Sequence, residues 1–221
     1  SSYRARVIAR NLQYINAINA QNRTYELGIT PFIHISNEEF KDSVLYHGNA
    51  DAFFSREQER NGYETVLHSA VPEKVDWRKK GVLSAVMNQG SCGSCYAIAS
   101  AGMIAAAYRI HGEKVEDLSS QQIMDCSTEY GNSGCEGGTV YSSFQYVRSK
   151  GITTAKNYPY VGKDQECQSV SSPLYKLKDI YHQTSVTEKA MQEMVSQTPV
   201  AISIYSSSLA FQVTILGTGH M

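Results

Sequence analysis

Five cysteines in 221 residues constrain this chain most, because an odd number cannot all pair within one molecule. Two disulfides leave one thiol over, and the identity of that thiol decides the chemistry. Cys92 and Cys95 stand three positions apart in the stretch NQGSCGSCYAIAS, residues 88–100, between a Gln-Gly turn and a run that reads as helix. Cys126, Cys135 and Cys167 are more widely spread. A Cys-x-x-Cys at a helix start can be a dithiol redox centre, since the helix dipole lowers the pKa of the first thiol. Such a centre follows a β-strand, for which residues 81–91 are a weak candidate, and it leaves three cysteines without a role. A zinc site needs a second ligand pair at similar spacing, and Cys126 and Cys135 stand too far apart. The third reading is one structural thiol beside one nucleophile.

Composition narrows the partners. Twenty Lys and Arg against twenty-one Asp and Glu give a net charge of −1, without the basic cluster that nucleic acid or an anionic membrane surface attracts. No apolar run approaches the roughly 20 residues of a membrane span, and residues 1–10 lack a signal-type apolar core. Any targeting segment is therefore expected to have been removed or never to have been present. Asn22-Arg23-Thr24 is a weak glycosylation sequon, compatible with a secretory route.

Periodicity organises the rest. Val7, Ile8, Leu12, Ile15 and Ile18 predict an amphipathic helix, and Ser36-Asn37-Glu38-Glu39 predicts a capping box opening a shorter one through Phe40, Val44 and Leu45. Residues 48–69 lose the pattern and read as an extended connector, the best boundary. Residues 97–110 predict a helix ended by Gly112, residues 119–126 another with a Ser-Ser-Gln-Gln capping box, and residues 140–150 a third ended by Gly151. Beyond Tyr158-Pro159, VAISIY (200–205) and VTILG (213–217) predict strands.

The stretch Gln89-Gly90-Ser91-Cys92-Gly93-Ser94-Cys95-Tyr96 resembles the active-site segment of papain-like cysteine proteases, the cathepsin family. Asp76-Trp77-Arg78 resembles that family's mature N-terminus, LSSQQIMDCS (118–127) its second-helix motif, and the GCEGG stretch with Cys135, Gly137 and Gly138 its substrate-strand motif. The resemblance implies an α+β, papain-like two-lobe fold, with a helical left lobe and a β-barrel-like right lobe that is incomplete here. It implies disulfides Cys92–Cys135 and Cys126–Cys167, leaving Cys95 free, and an oxidising compartment at synthesis. Each bridge closes a loop of about 40 residues, stabilising by about 4 kcal/mol in the chain-entropy picture. Cys95 is the implied nucleophile. Gln89 and the Cys95 N–H are the implied oxyanion donors, and Gly93, Gly137, Gly138 and Val140 contact peptide. No cofactor or metal is implied.

Arg4, Ile8, Asn11, Ile15 and Asn19 resemble the proregion helix motif of the cathepsin L-like branch, with Ile8 where Phe is usual. GITPFIH (28–34) resembles a second proregion motif, with Thr30 and His34 in place of Asn and Asp. The implied organisation is an inhibitory prodomain, 1–70, its connector running through the cleft, and a peptidase domain, 71–221, with cleavage near 67–71. Substrates would be peptides or proteins, and the location lysosomal, vacuolar or secreted. The family's catalytic His and Asn belong about 130–150 residues after the Cys, beyond Met221. VTILG resembles the strand after that His, which implies a missing stretch between about Gln212 and Val213 and a missing C-terminus. His220 would lie about 23 Å along an extended strand from Val213, at the wrong end for a base. His34, His47, His68, His111 and His182 carry no motif. The alternative function is a non-catalytic, protease-like peptide-binding or structural protein.

Overall fold

The computed structural model describes residues 2–45, 71–170, 173–182 and 186–217. They form α1 (Ser2–Asn19), β1 (Tyr25–Leu27), α2 (Asn37–Val44), α3 (Cys95–Ile110), α4 (Ser120–Cys126), α5 (Val140–Lys150), α6 (Glu188–Gln197), the single turn α7 (Leu209–Gln212) and β2 (Thr214–Gly217). Short 3-10 turns lie at Thr128–Tyr130 and Gly134–Glu136. The class is α+β. The chain packs as two compact units, residues 2–45 with 203–217 in one and 71–202 in the other. The connector at 48–69, the cleavage region through residue 70, and His47, His68 and His220 lie outside the described residues.

In the first unit, α1 turns Ile15 inward, with Leu12, Tyr14 and Ile18 around a small core of Leu27 and Val213. The motif asparagines serve as backbone partners. Asn11, 3% exposed, donates from Nδ2 to the carbonyls of Ile33 (2.9 Å) and Ile35 (3.2 Å), giving loop backbone the partners that burial requires. Asn19 grips Leu27 as a neighbouring strand would: Nδ2 donates to its carbonyl (2.8 Å) and Oδ1 accepts its N–H (2.9 Å). The other edge of β1 pairs antiparallel with β2, Tyr25 opposite Gly217 and Leu27 opposite Thr214, with a register shift between Glu26 and Leu27. Gln212 is 2% exposed and joins the two chain segments, donating from Nε2 to Phe32 and Ile35 carbonyls and accepting from Asn37. The capping box at Ser36 forms as expected, with the Glu39 carboxylate accepting the Ser36 N–H (2.7 Å) and the Arg4 guanidinium (2.8 Å).

The second unit is built on α3. Four of its six alanines, at 97, 101, 105 and 106, are almost fully buried, and such small side chains let α4 and α5 approach closely. Ile104, Ile123, Met124, Val147 and Ile152 fill the space between them. Burying each large side chain contributes about 1.5–3 kcal/mol. Trp77 joins residues near the start of this unit to α6, donating Nε1–H to the Val195 carbonyl (2.8 Å).

Three expectations are corrected. The Ser119 cap is half a box: Ser119 accepts from the Gln122 N–H, but Gln122, 3% exposed, spends its amide on the Tyr146 hydroxyl and the Thr153 N–H. A buried side chain satisfies buried partners before a helix end that Ser119 already caps. VAISIY forms no strand: no backbone partner meets it among the described residues, and Ile202, Ile204 and Tyr205 are exposed. The C-terminal third is not purely β, because residues 188–197 form α6, capped by the Thr187 hydroxyl.

Arg4 first, then the Ser36 N–H, draw the Glu39 carboxyl down to about 2. A depressed carboxylate pKa contributes stability that is present above the unfolded value near 4.5 and lost as pH falls through about 2. Acid unfolding of the first unit between these limits, followed by circular dichroism, is therefore expected to become shallower in Glu39→Gln, with an unchanged profile overturning the assignment.

Candidate active site

Cys92 bonds Cys135 and Cys126 bonds Cys167, with Cα separations of 4.6 and 4.8 Å. Cys95 stays free and exposed as the first residue of α3. With Cys92 tied to Cys135 rather than Cys95, and with residues 81–91 forming no strand, a dithiol redox centre lacks both its bond and its scaffold. The bridge is reinforced by a backbone bond from Gly93 N–H to the Cys135 carbonyl (2.9 Å). A Cβ at Gly93 would lie 2.6 Å from that same carbonyl oxygen and 3.7 Å from Gly137 N, so only glycine permits the approach. The candidate residues Gly93 and Gly137 are thus brought together beside the thiol.

Several side chains fix the facing segment. Tyr96, next to the thiol and 4% exposed, donates its hydroxyl to the Gly134 carbonyl (3.0 Å). Asn132, 3% exposed, accepts the Thr139 N–H (2.8 Å) and donates to the hydroxyls of Ser127 and Ser143. The Asp164 carboxylate accepts the Cys135 N–H (2.7 Å). Gly137 has φ +115°, a region that side chains disfavour, while Gly138 packs against Asn132 and the Tyr96 ring. Val140 is half-buried as the first residue of α5, whose cap is the Thr139 hydroxyl. The sequence reading missed Tyr96, Asn132 and Asp164 as supports. A tyrosine directly after the candidate nucleophile was the one visible signal.

Gln89, half-buried three residues before Cys92, donates from Nε2 to the Cys92 carbonyl (2.9 Å). The thiol itself is reached by solvent at its face yet flanked by protein, and that desolvation pushes the Cys95 pKa up, while the N–H groups of Tyr96 and Cys95 draw it down. His182 is half-buried with its ring 5.5 Å from Tyr141, and burial lowers its pKa. His34 lies in the first unit, where its carbonyl accepts from Arg4. His111 caps the C-terminus of α3. Asn22 is exposed in a left-handed turn (φ +49°) between α1 and β1.

A helical unit that holds one free cysteine at a helix start, braced by a disulfide to a glycine-rich segment, defines a papain-like fold. Residues 71–218 match the family described as papain family cysteine protease, and the chain belongs to that family. Pro-cathepsin H of Bos taurus is 35% identical over 216 residues, covering 96% of this chain and 61% of its own length. Senescence-specific cysteine protease SAG12 of Arabidopsis thaliana is 34% identical over 207 residues, covering 91% of this chain and 59% of its own. Among solved structures, the proform of the ragweed pollen allergen Amb a 11 cysteine protease superposes with a TM-score of 0.85 at 29% identity, covering 98% of this chain and 68% of that one. The chain spans about three fifths of the length of these curated relatives.

Replacing Gly93 by Ala is expected to cost about 1–3 kcal/mol, because the new methyl must displace a backbone carbonyl held by a disulfide. Urea unfolding checks this; a variant as stable as the parent would show that the 92–94 and 134–137 segments are not in this contact.

Proposed function

We propose that this chain is a cysteine peptidase proenzyme, with residues 1–70 as inhibitory propeptide and 71–221 as peptidase domain. The observation that carries the reading is the position of Cys95: the leftover thiol of five cysteines, exposed at the start of α3, with Gln89 six residues upstream. In this reading the Cys95 thiolate attacks the peptide carbonyl, forming an S–C bond, and the amine leaves after taking up a proton. The developing oxyanion is met by the Cys95 N–H and the Gln89 amide, which turns from the Cys92 carbonyl. Backbone at Gly137 and Gly138, unhindered by side chains, pairs with an extended peptide, and Val140 contributes to an apolar pocket. The proton acceptor in this family is an imidazole, and none of the described histidines is assigned that role. The proform structures among the relatives support a propeptide that restrains the enzyme.

A second reading is a peptide-binding or structural protein without catalysis, since no histidine among the described residues is assigned as the base for Cys95. Labelling of the acid-treated full-length protein with an epoxide thiol inhibitor separates the two. Labelling of the wild type that is lost in Cys95→Ala is expected, and an unlabelled wild type sinks the peptidase reading.

The exposed Asn22-Arg23-Thr24 turn, together with two disulfides, supports passage through the secretory pathway, to a lysosome or vacuole or to the outside. Protein expressed in eukaryotic cells is expected to lose about 2 kDa or more on removal of N-linked glycan. Asn22→Gln should abolish that shift. An unshifted wild type removes the modification.

A further inference from the structure

The backbone on either side of Gly138 is held, while its own groups stay open. The Gly137 carbonyl accepts the Ser133 N–H (2.8 Å), and the Thr139 N–H goes to Asn132 Oδ1 (2.8 Å). The Gly138 N–H and C=O meet no hydrogen-bond partner among the described residues. A trans peptide unit is planar, with its C=O and N–H pointing in opposite directions. The Gly137 carbonyl and the Gly138 N–H share one such unit, so the Ser133 contact turns the Gly138 N–H away from Ser133. The Gly138 carbonyl and the Thr139 N–H share the next, so the Asn132 contact turns the Gly138 C=O away from the Asn132 amide.

Asn132 is itself fixed by the protons around it. It is buried, and its neighbours Ser127 and Ser143 each have one hydroxyl proton. Ser127 donates to the Ile123 carbonyl, and Ser143 donates to the Thr139 carbonyl (2.8 Å). With those protons committed, both hydroxyls accept from Asn132 Nδ2, at 2.7 and 3.2 Å. Oδ1 must then face Thr139, because a flipped amide would set two donors against each other. The amide lies directly behind Gly138, where a Cβ would come 2.3 Å from Oδ1 and 2.8 Å from the Tyr96 ring.

We infer that Asn132 is a positioning residue for substrate: by holding the Thr139 N–H it aims the Gly138 C=O at an extended peptide, whose backbone N–H that oxygen accepts. The inference rests on the proposed function, in which Gly138 pairs with peptide. It assigns Asn132 no contact with substrate. The Gly138 N–H is aimed separately, by the Ser133 backbone, so Asn132 governs one hydrogen bond of the pair and not both.

The test uses the processed full-length protein and two variants. Asn132→Leu keeps the branched shape and removes the acceptor, whereas Asn132→Asp keeps an oxygen for the Thr139 N–H. The substrates are one peptide and a set of analogues, each with a single backbone N–H on the acyl side of the scissile bond replaced by an ester oxygen. For the wild type, one analogue is expected to show a KM raised roughly three- to tenfold, the loss of one hydrogen bond, with kcat within about twofold. Asn132→Leu is expected to raise KM for the parent peptide by a similar factor. In that variant the parent and the same analogue should differ by no more than about twofold, because the two losses are one bond and do not multiply. Asn132→Asp should discriminate as the wild type does.

Alkylation of Cys95 by iodoacetamide needs no peptidase activity and should proceed within about twofold in all three proteins, since the thiol is not what Asn132 positions. The inference is overturned if the wild type discriminates against no analogue, or if Asn132→Leu still discriminates as the wild type does. Loss of discrimination in Asn132→Asp overturns it too, and this arm decides the matter should Asn132→Leu fail to fold. An alkylation rate that falls along with the rise in KM also overturns it, as that is general disturbance of the site. A wild type that hydrolyses no peptide removes the proposed catalysis. Protection of Cys95 from iodoacetamide by the same peptides then supplies the comparison, and still decides the role of Asn132.

Discussion

The bond between Cys92 and Cys135 holds two backbones in contact, and the placement of the thiol depends on it. Once the sulfurs are joined, the Gly93 N–H reaches the Cys135 carbonyl, and the chain has only Ser94 in which to turn before α3 begins. Cys95 therefore emerges at the first turn of a helix whose interior face is anchored in alanines and Ile104. Neither the bridge nor the helix would suffice alone. A helix without the bridge could rotate or fray at its N-terminus, and a bridge without the buried helix would leave the thiol on a loop.

The facing segment is irregular, and its backbone groups are met by side chains. Asn132 serves Thr139 and two hydroxyls, Asp164 serves Cys135, and Tyr96 serves Gly134. Buried loop backbone that lacks a strand partner must find its donors and acceptors somewhere, and each unmet group costs about 1–3 kcal/mol. This explains why polar residues are so frequent in the interior of this unit: Gln121 and Asp125, both nearly or fully buried, bind residues 161–165 in the same way. The Asp125 carboxyl, shared with the Tyr158 hydroxyl (2.8 Å), is pushed up by burial. Burial, with the Asp125 carboxylate beside it, drives Tyr158 up to about 12, so its hydroxyl keeps its proton at neutral pH.

What could be read from the sequence was what depends on neighbours along the chain. The α1 stripe, the Ser36 capping box, the long helix after Cys95 and the glycine at 151 are encoded within one or two turns, and the structure follows them. Arg4, Asn11, Ile15 and Asn19 were legible as a pattern, though their work, gripping the Ile33, Ile35 and Leu27 backbones and the Glu39 carboxylate, lies across 8 to 35 residues of sequence and could not be seen in it. At the site, Cys95, Gln89 and the glycines carry local motifs. Tyr160 carries none, because its contacts to Ser94 and Gln89 span 66 and 71 residues.

The two β-branched runs near the C-terminus show why composition alone misled. Val200, Ile202 and Ile204 alternate as well as any strand, whereas Val213 and Ile215 belong to a run no more apolar. Only the second becomes a strand. Its backbone meets β1, whose other edge is already held by the Asn19 amide, and the Gly28 N–H closes the ladder on the Val213 carbonyl (2.8 Å). The first run finds no such edge among the described residues and stays irregular, with Ile202, Ile204 and Tyr205 exposed. β-propensity describes how well a side chain fits a pleated, half-buried surface, and where no partner supplies that surface the preference has nothing to act on. Strand formation at this end of the chain is thus decided by Asn19 and Leu27, nearly two hundred residues away in sequence from the segment that pairs.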